Sequence, residues 1–211
     1  MKAVDFGAWA VLLLAVPFAI VVATAFLKFA VVLAILRRAF GGSSLPPASV
    51  AAALALLFAL FVTAPVASRL WAAAAPSLQK GDAASLATAA VRAIEPVREF
   101  LIKHAPERER QSFTELQRQL RPPAERAAVS DRDLVVLAPA FATAELKSAF
   151  QIGFLLFLPF LVVELLCATV LTSLGMSSVA PELVSLPFKL LLFVLADGWH
   201  LLFRGLVLGY T

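Results

Sequence analysis

Ile152-Gly153-Phe154-Leu155-Leu156-Phe157-Leu158-Pro159-Phe160-Leu161-Val162-Val163-Glu164-Leu165-Leu166-Cys167-Ala168-Thr169-Val170-Leu171 is an apolar run carrying a single carboxylate. The chain then turns through Gly175-Met176-Ser177-Ser178-Val179-Ala180-Pro181 into a second apolar run, from Leu183 to about Leu208. The first run is long enough to cross a hydrocarbon core of ~30 Å, so the two runs predict a membrane-associated helical hairpin. A charge at the centre of a lone membrane helix costs at least ~2.5 kcal/mol. Glu164, Lys189 and Asp197 are therefore expected to face protein, a partner or water.

Spacing sharpens that expectation. Lys189, Phe193 and Asp197 follow at i, i+4 and share one face of a continuous helix. Lys189 and Asp197 would be ~12 Å apart at 1.5 Å rise per residue, too far to touch. Glu145 and Lys147, at the start of the third apolar run, stand at i, i+2 and point apart. Repeated copies of the chain would satisfy all five charges, an acid of one copy meeting a base of the next, and head-to-tail contacts of that kind build rings or helical arrays. Glu145 or Glu164 is thus expected to pair with Lys189 of a neighbouring copy.

Working outward, the chain of 211 residues is 61% hydrophobic, with a mean hydropathy of +0.90. It is too apolar for an ordinary soluble domain and too short for a large multispan transporter. The net charge of +4 is not gathered into a basic patch with interleaved aromatics, which argues against nucleic acid as a partner. The lone Cys167 lies in an apolar run and is expected to act as a small buried hydrophobe. His104 and His200 have no ligand motif around them, so no metal site and no cofactor is expected.

Towards the N-terminus, Trp9 to Leu36 is apolar apart from Lys28 and is interrupted by Pro17. It exceeds the about 7 to 15 residues of a signal-peptide core and lacks a small-residue cleavage site before a polar start, so it is expected to be retained. Lys28 could snorkel towards the interface of Arg37-Arg38 or be buried against a partner. Gly41-Gly42-Ser43-Ser44-Leu45-Pro46-Pro47 is turn chemistry, leading to a second run from about Val50 to Trp71. Pro65 removes a backbone donor and crowds the carbonyl of Phe61, predicting a bend. Bends are likewise expected at Pro17, Pro159 and Pro187.

From Ala72 to about Ala144 charges cluster, as in Glu107-Arg108-Glu109-Arg110 and Asp131-Arg132-Asp133, and the segment reads as a water-facing helical insert. Asp82 is a candidate cap for a helix towards Arg92, a further helical stretch follows Pro96 as far as His104, and Pro122-Pro123 marks a break. The expected fold is all-α: membrane-associated helical hairpins with kinked apolar helices and a helical water-facing insert, assembled into a helical oligomer. Its segments are 1–71, an N-terminal apolar hairpin; 72–144, a polar insert; and 145–211, a C-terminal apolar hairpin. Arg37-Arg38 favour a cytoplasmic first connection, which leaves the insert and both termini on the periplasmic side.

Glu145-Leu-Lys-Ser-Ala-Phe-Gln-Ile-Gly-Phe154, Pro159-Phe-Leu-Val-Val-Glu164 and Leu186-Pro-Phe-Lys-Leu-Leu-Leu-Phe-Val-Leu-Ala-Asp-Gly-Trp199 resemble the signature blocks of the FliP/SctR family, the export-gate subunit of bacterial type III secretion. Leu27 to Gly41, Pro46-Pro47 and Phe61-Val-Thr-Ala-Pro-Val66 match in the same order, so the resemblance covers almost the whole chain. It implies a non-enzymatic structural and pore-forming subunit that passes unfolded proteins across the bacterial inner membrane. Five copies are implied, with FliQ/SctS-type and FliR/SctT-type subunits, and with FlhB/SctU-type and FlhA/SctV-type components nearby. The assembled family complex is held largely above the membrane plane, so hydropathy would overstate true spanning. Flagellar members commonly have a cleaved leader and a longer N-terminus, so the injectisome type is expected.

The resemblance also assigns Gly175, Met176, Ser177, Ser178 and Val179 to a loop that forms a gasket closing the pore. Family members usually carry consecutive methionines there, where this chain has Ser177 and Ser178. With fewer apolar atoms per copy the constriction should wet more readily, or Val179 and partner loops must complete the closure. The competing reading is a small ion or proton transporter using Glu164 and Asp197 as a relay. It would be expected to show repeated halves with matched discontinuous helices, which the sequence lacks. No GxSxG, HExxH or Walker-type loop supports an enzyme.

Overall fold

The computed structural model of the chain describes residues 24–41, 46–78 and 83–211. Pro17 with most of the first apolar run, residues 42–45 of the first turn, and Asp82 lie outside the described residues. Among the described residues the regular structure is helical throughout: α1 (Phe26–Ala39), α2 (Ala48–Leu78), α3 (Ala83–His104), α4 (Glu107–Leu120), a 3-10 turn (Pro123–Ala128), α5 (Leu134–Ser173), α6 (Pro181–Leu195) and α7 (Gly198–Leu208). The all-α class expected from the apolar runs is the one observed.

The chain divides into two compact units, Met1–Leu27 with Leu60–Glu145, and Lys28–Ala59 with Leu146–Thr211. The segments 1–71, 72–144 and 145–211 follow composition, whereas this division follows contacts and falls within the lengths of α1, α2 and α5.

In the first unit, Phe100 and Leu101 of α3 are buried with Val136, Leu137, Ala140 and Phe141 of α5. The Phe100 ring lies 5.6 Å from Phe141 and 4.6 Å from His104. Pro96 does not divide this helix; the stretches expected on either side of it form one α3. Pro122 does end α4, because Pro122 and Pro123 supply no amide donor to continue it. The chain re-enters α5 through a tight turn in which Asp133 caps twice over. Its carboxylate accepts the Ser130 amide at 2.9 Å, and its carbonyl accepts the Val136 and Leu137 amides at 2.9 and 2.8 Å.

In the second unit α1 buries Phe29, Val32, Leu33 and Leu36, the i, i+3, i+4, i+7 stripe of a helix with one apolar face inward. α2 buries Ala51, Ala55 and Ala59 at i, i+4. Small side chains at that spacing let helix backbones approach closely, the usual packing of helices in membranes. Past Ala59 α2 belongs to the first unit, and there it stays helical through Pro65. Ser68, one turn on, donates its hydroxyl to the Pro65 carbonyl at 2.9 Å, an additional side-chain bond within the helix. α5 likewise runs unbroken past Pro159.

The last apolar run departs from the single helix expected to about Leu208. It is two helices, α6 and α7, meeting at 61°. The break falls at Ala196 and Asp197, and Pro187 sits within α6. Asp197 has φ 49° and ψ 47°, in the left-handed region where Asp is among the few tolerated side chains. Lys189, Phe193 and Asp197 therefore do not share one helix face. Gly198 follows for a steric reason: a Cβ there would run into the ring of Phe193.

The Ala48–Ala73 part of α2 and all of α5 are long and apolar enough to cross a membrane, and the bent pair α6 and α7 makes a third crossing if it is one span. At 1.5 Å per residue the 40 residues of α5 extend ~60 Å, about twice a hydrocarbon core, so only part of α5 can lie in lipid.

Candidate functional site

The hairpin of α5 and α6 is joined by the loop 174–180, and the sequence at each end of that loop dictates its shape. At the end of α5 the Met176 amide bonds to the Leu171 carbonyl at 2.9 Å and the Gly175 amide to the Thr172 carbonyl at 3.0 Å. This crossed pair is a Schellman closure, and it requires a left-handed residue where Gly175 stands with φ +73°. No atom lies within 4 Å of the position a Gly175 Cβ would take, so the demand is on backbone conformation alone. The chain re-enters a helix with Pro181 in the first turn, where its missing N–H would have had no partner, and Glu182 beside it favours the positive end of the helix dipole. Between these caps Gly175, Met176, Ser177 and Ser178 are exposed and Val179 is half-buried.

Below the loop in sequence, the hairpin is pinned by charge. Lys189 Nζ donates to Glu164 Oε2 at 2.6 Å; the lysine side chain is 1% exposed and the glutamate 30%. The partner expected from a neighbouring copy is thus found in the same chain. The reason is topological. Glu164 lies ~14 Å along α5 before its end, and Lys189 ~12 Å along α6 after its start, so folding the hairpin brings two equal arms level. The end of α1 joins them: a Cβ on Gly41 would stand 3.7 Å from Lys189 Nζ. The helix C-terminus there presents the negative end of its dipole to the ammonium. Around the pair, Phe40 meets Phe160 at 5.1 Å and Phe193 at 5.5 Å, both edge-on, and Phe193 meets Trp199 at 5.1 Å. Edge-on rings of this kind contribute about 0.5–1.5 kcal/mol each beyond the area they bury.

The other charges singled out in the sequence lie elsewhere. Glu145 is 3% exposed in the first unit. Lys147 is exposed, and both it and Glu145 have contacts of their own. Asp197 is exposed and serves as the hinge residue between α6 and α7. Cys167, expected to be buried, is a half-buried free thiol. It lines an apolar groove of about 410 Å³ with Val163, Leu166, Val170, Val184 and Phe188.

Two features escaped the sequence reading. Phe40 just past α1, Phe160 of α5 and Phe193 of α6 converge, which no local pattern announces. Lys28, for which snorkelling and burial both stood open, is 5% exposed, with its ammonium 4.1 Å from the centre of the Tyr210 ring. Desolvated cation–π contacts of this kind stabilise by up to about 2 kcal/mol. The Asp197-Gly198 pair was itself a turn signal inside the last apolar run.

The chain is similar to known proteins along most of its length. The profile of the FliP family matches residues 10–206. The chain is 43% identical over 216 residues to the hypersensitivity response secretion protein HrcR of Ralstonia nicotianae, covering 100% of both chains. It is 40% identical over 204 residues to the Yop proteins translocation protein R of Yersinia pestis, covering 94% of this chain and 92% of the relative. It is 42% identical over 197 residues to the flagellar biosynthetic protein FliP of Pectobacterium carotovorum, covering 92% of this chain and 73% of the relative.

Proposed function

The chain belongs to the FliP family, and from that premise we propose that it works as a structural, pore-forming subunit, of the injectisome type, in the membrane of a type III secretion apparatus. Its place is the export gate of that apparatus, not a small ion or proton transporter. The family is a structural component of the secretion machinery, and this chain acts as a scaffold that leaves energy supply to other subunits. The observation that carries the pore-forming role is the exposed loop 174–180, held in shape at both ends while Met176 remains 44% exposed. A loop capped so firmly and covered so little is suited to meeting its copies around a common axis.

In this reading five copies assemble with FliQ/SctS-type and FliR/SctT-type subunits, beside FlhB/SctU-type and FlhA/SctV-type components, in the bacterial inner membrane and displaced to its periplasmic side. Phe154, Leu155, Leu165, Leu166 and Val170, all more than half exposed along α5, are the apolar surface for those neighbours and for lipid. Asp197, exposed at the bend, is the charge that acts between subunits, while Glu164 and Lys189 act within one. Gly175, Met176, Ser177, Ser178 and Val179 form the gasket through which an unfolded chain passes. The segment 72–144 faces the periplasm.

The gate is tested by conductance in cells with the complex assembled. Deleting Gly175 to Ser178 should raise the resting ion leak, and placing Met at Ser177 and Ser178 should lower it, since hydrophobic constrictions close by dewetting. Unchanged conductance in both variants would move the gate away from this loop. Native mass spectrometry after co-expression with the FliQ/SctS-type and FliR/SctT-type partners tests assembly, and a monomer without partners would overturn it.

A further inference from the structure

The bend at Asp197 turns α7 so that one of its faces builds a second site. Trp199, His200, Phe203, Arg204 and Val207 of α7 line a cleft of about 430 Å³ together with Phe58 of α2. Its floor is aromatic. Phe58 and Phe203 stack with centroids 3.8 Å apart, Trp199 stacks on Phe203 at 5.8 Å, and Phe29 backs Phe58 at 5.9 Å. Its rim is cationic. Arg204 is exposed in a helix that reads Gly-Trp-His-Leu-Leu-Phe-Arg-Gly-Leu-Val-Leu and holds no other Arg, Lys, Asp or Glu. Among the described residues no carboxylate forms an ion pair with it.

A guanidinium on an apolar helix of this length calls for an anion. The anion must also suit the stacked rings beside it and the apolar surface of the same helix, where Leu201 and Leu208 are 61% and 55% exposed. A lone carboxylate side chain would satisfy the charge but is too short to cover the rings as well. A phospholipid satisfies both: its phosphate takes the planar donors of Arg204, and its glycerol and upper acyl carbons lie on Phe203 and Val207. Trp at such a position is the usual marker of the membrane–water boundary, and basic pockets between membrane helices are where anionic head groups bind. We propose that this cleft is a binding site for an anionic membrane phospholipid, clamped by Arg204 over the Phe58–Phe203–Trp199 stack.

The test uses the full chain in neutral detergent, titrated with dihexanoyl phosphatidylglycerol, dihexanoyl phosphatidylcholine or inorganic phosphate and followed by native mass spectrometry. Phosphatidylglycerol should bind in preference to the other two. Arg204→Gln should weaken that binding about tenfold or more, the loss expected for a charge-assisted bond, and Arg204→Lys should keep part of it. Trp199→Leu should weaken it less than Arg204→Gln does. Arg204 is exposed, so unchanged circular dichroism is expected of its variants and verifies that they fold. Equal binding by the wild type and Arg204→Gln would overturn the site. Inorganic phosphate binding as well as the lipid would overturn the lipid assignment, leaving a plain anion site. Loss of oligomers in Arg204→Gln with lipid binding unchanged would assign the cleft to an acid of another subunit instead.

Discussion

Two ion pairs in this molecule have the same chemistry and opposite settings. Arg110 and Asp131 meet at 2.9 Å in the first unit, with side chains 18% and 48% exposed. Lys189 and Glu164 meet at 2.6 Å in the second, with the lysine 1% exposed. Water competes for the first pair and screens it, so its net worth is about 0–1 kcal/mol. The ammonium of the second has no water to return to. Removing one partner there leaves a charge in an apolar setting and costs about 3–5 kcal/mol, less whatever the partly exposed Glu164 recovers from solvent. The lesson is that the first unit holds its charges for solubility and local shape, while the second holds one pair to lock a hairpin.

The largest effect that would break the comparison is at Lys189. Lys189→Ala should destabilise the full chain in detergent by about 3 kcal/mol, read as a lower midpoint in thermal unfolding. Lys189→Glu should do at least as much, and the double variant with Glu164→Lys should recover part of the loss within a single chain. Recovery only when the two single variants are mixed would return the pair to neighbouring protomers.

Next in size is the packing above that pair. Gly198→Ala drives a methyl into the Phe193 ring and should cost about 1–3 kcal/mol through overpacking, with the same unfolding assay as the measure. Asp197→Val should cost about 1–2 kcal/mol, because a β-branched residue tolerates the left-handed backbone poorly, whereas Asp197→Gly should be neutral or slightly stabilising. A large loss in Asp197→Gly would show that the carboxylate, and not the backbone, is what the position requires.

The smallest effect sharpens the contrast from the other side. Asp131→Ala should shift stability by less than about 1 kcal/mol and do so less at high salt. A loss as large as that of Lys189→Ala would mean that the insert is organised by charge after all.

What the sequence by itself determined is whatever depends on local order. The apolar runs from Ile152 and Leu183, the charged insert, the Pro122-Pro123 stop and the glycine at 175 each follow from residue types at short spacing, and so does the helical class. Hydropathy and periodicity act over a turn or two, which is why those elements were legible. The tertiary structure alone decided which acid meets Lys189, because that depends on two arms of a hairpin coming level across 25 residues of chain. It also decided that Lys28 ends on Tyr210, near the opposite end of the sequence. The bend at Asp197 belongs with these. Next to the left-handed Asp197 the ring of Phe193 lies where a Gly198 Cβ would stand, and that ring meets Phe40 and Phe160 from distant parts of the chain.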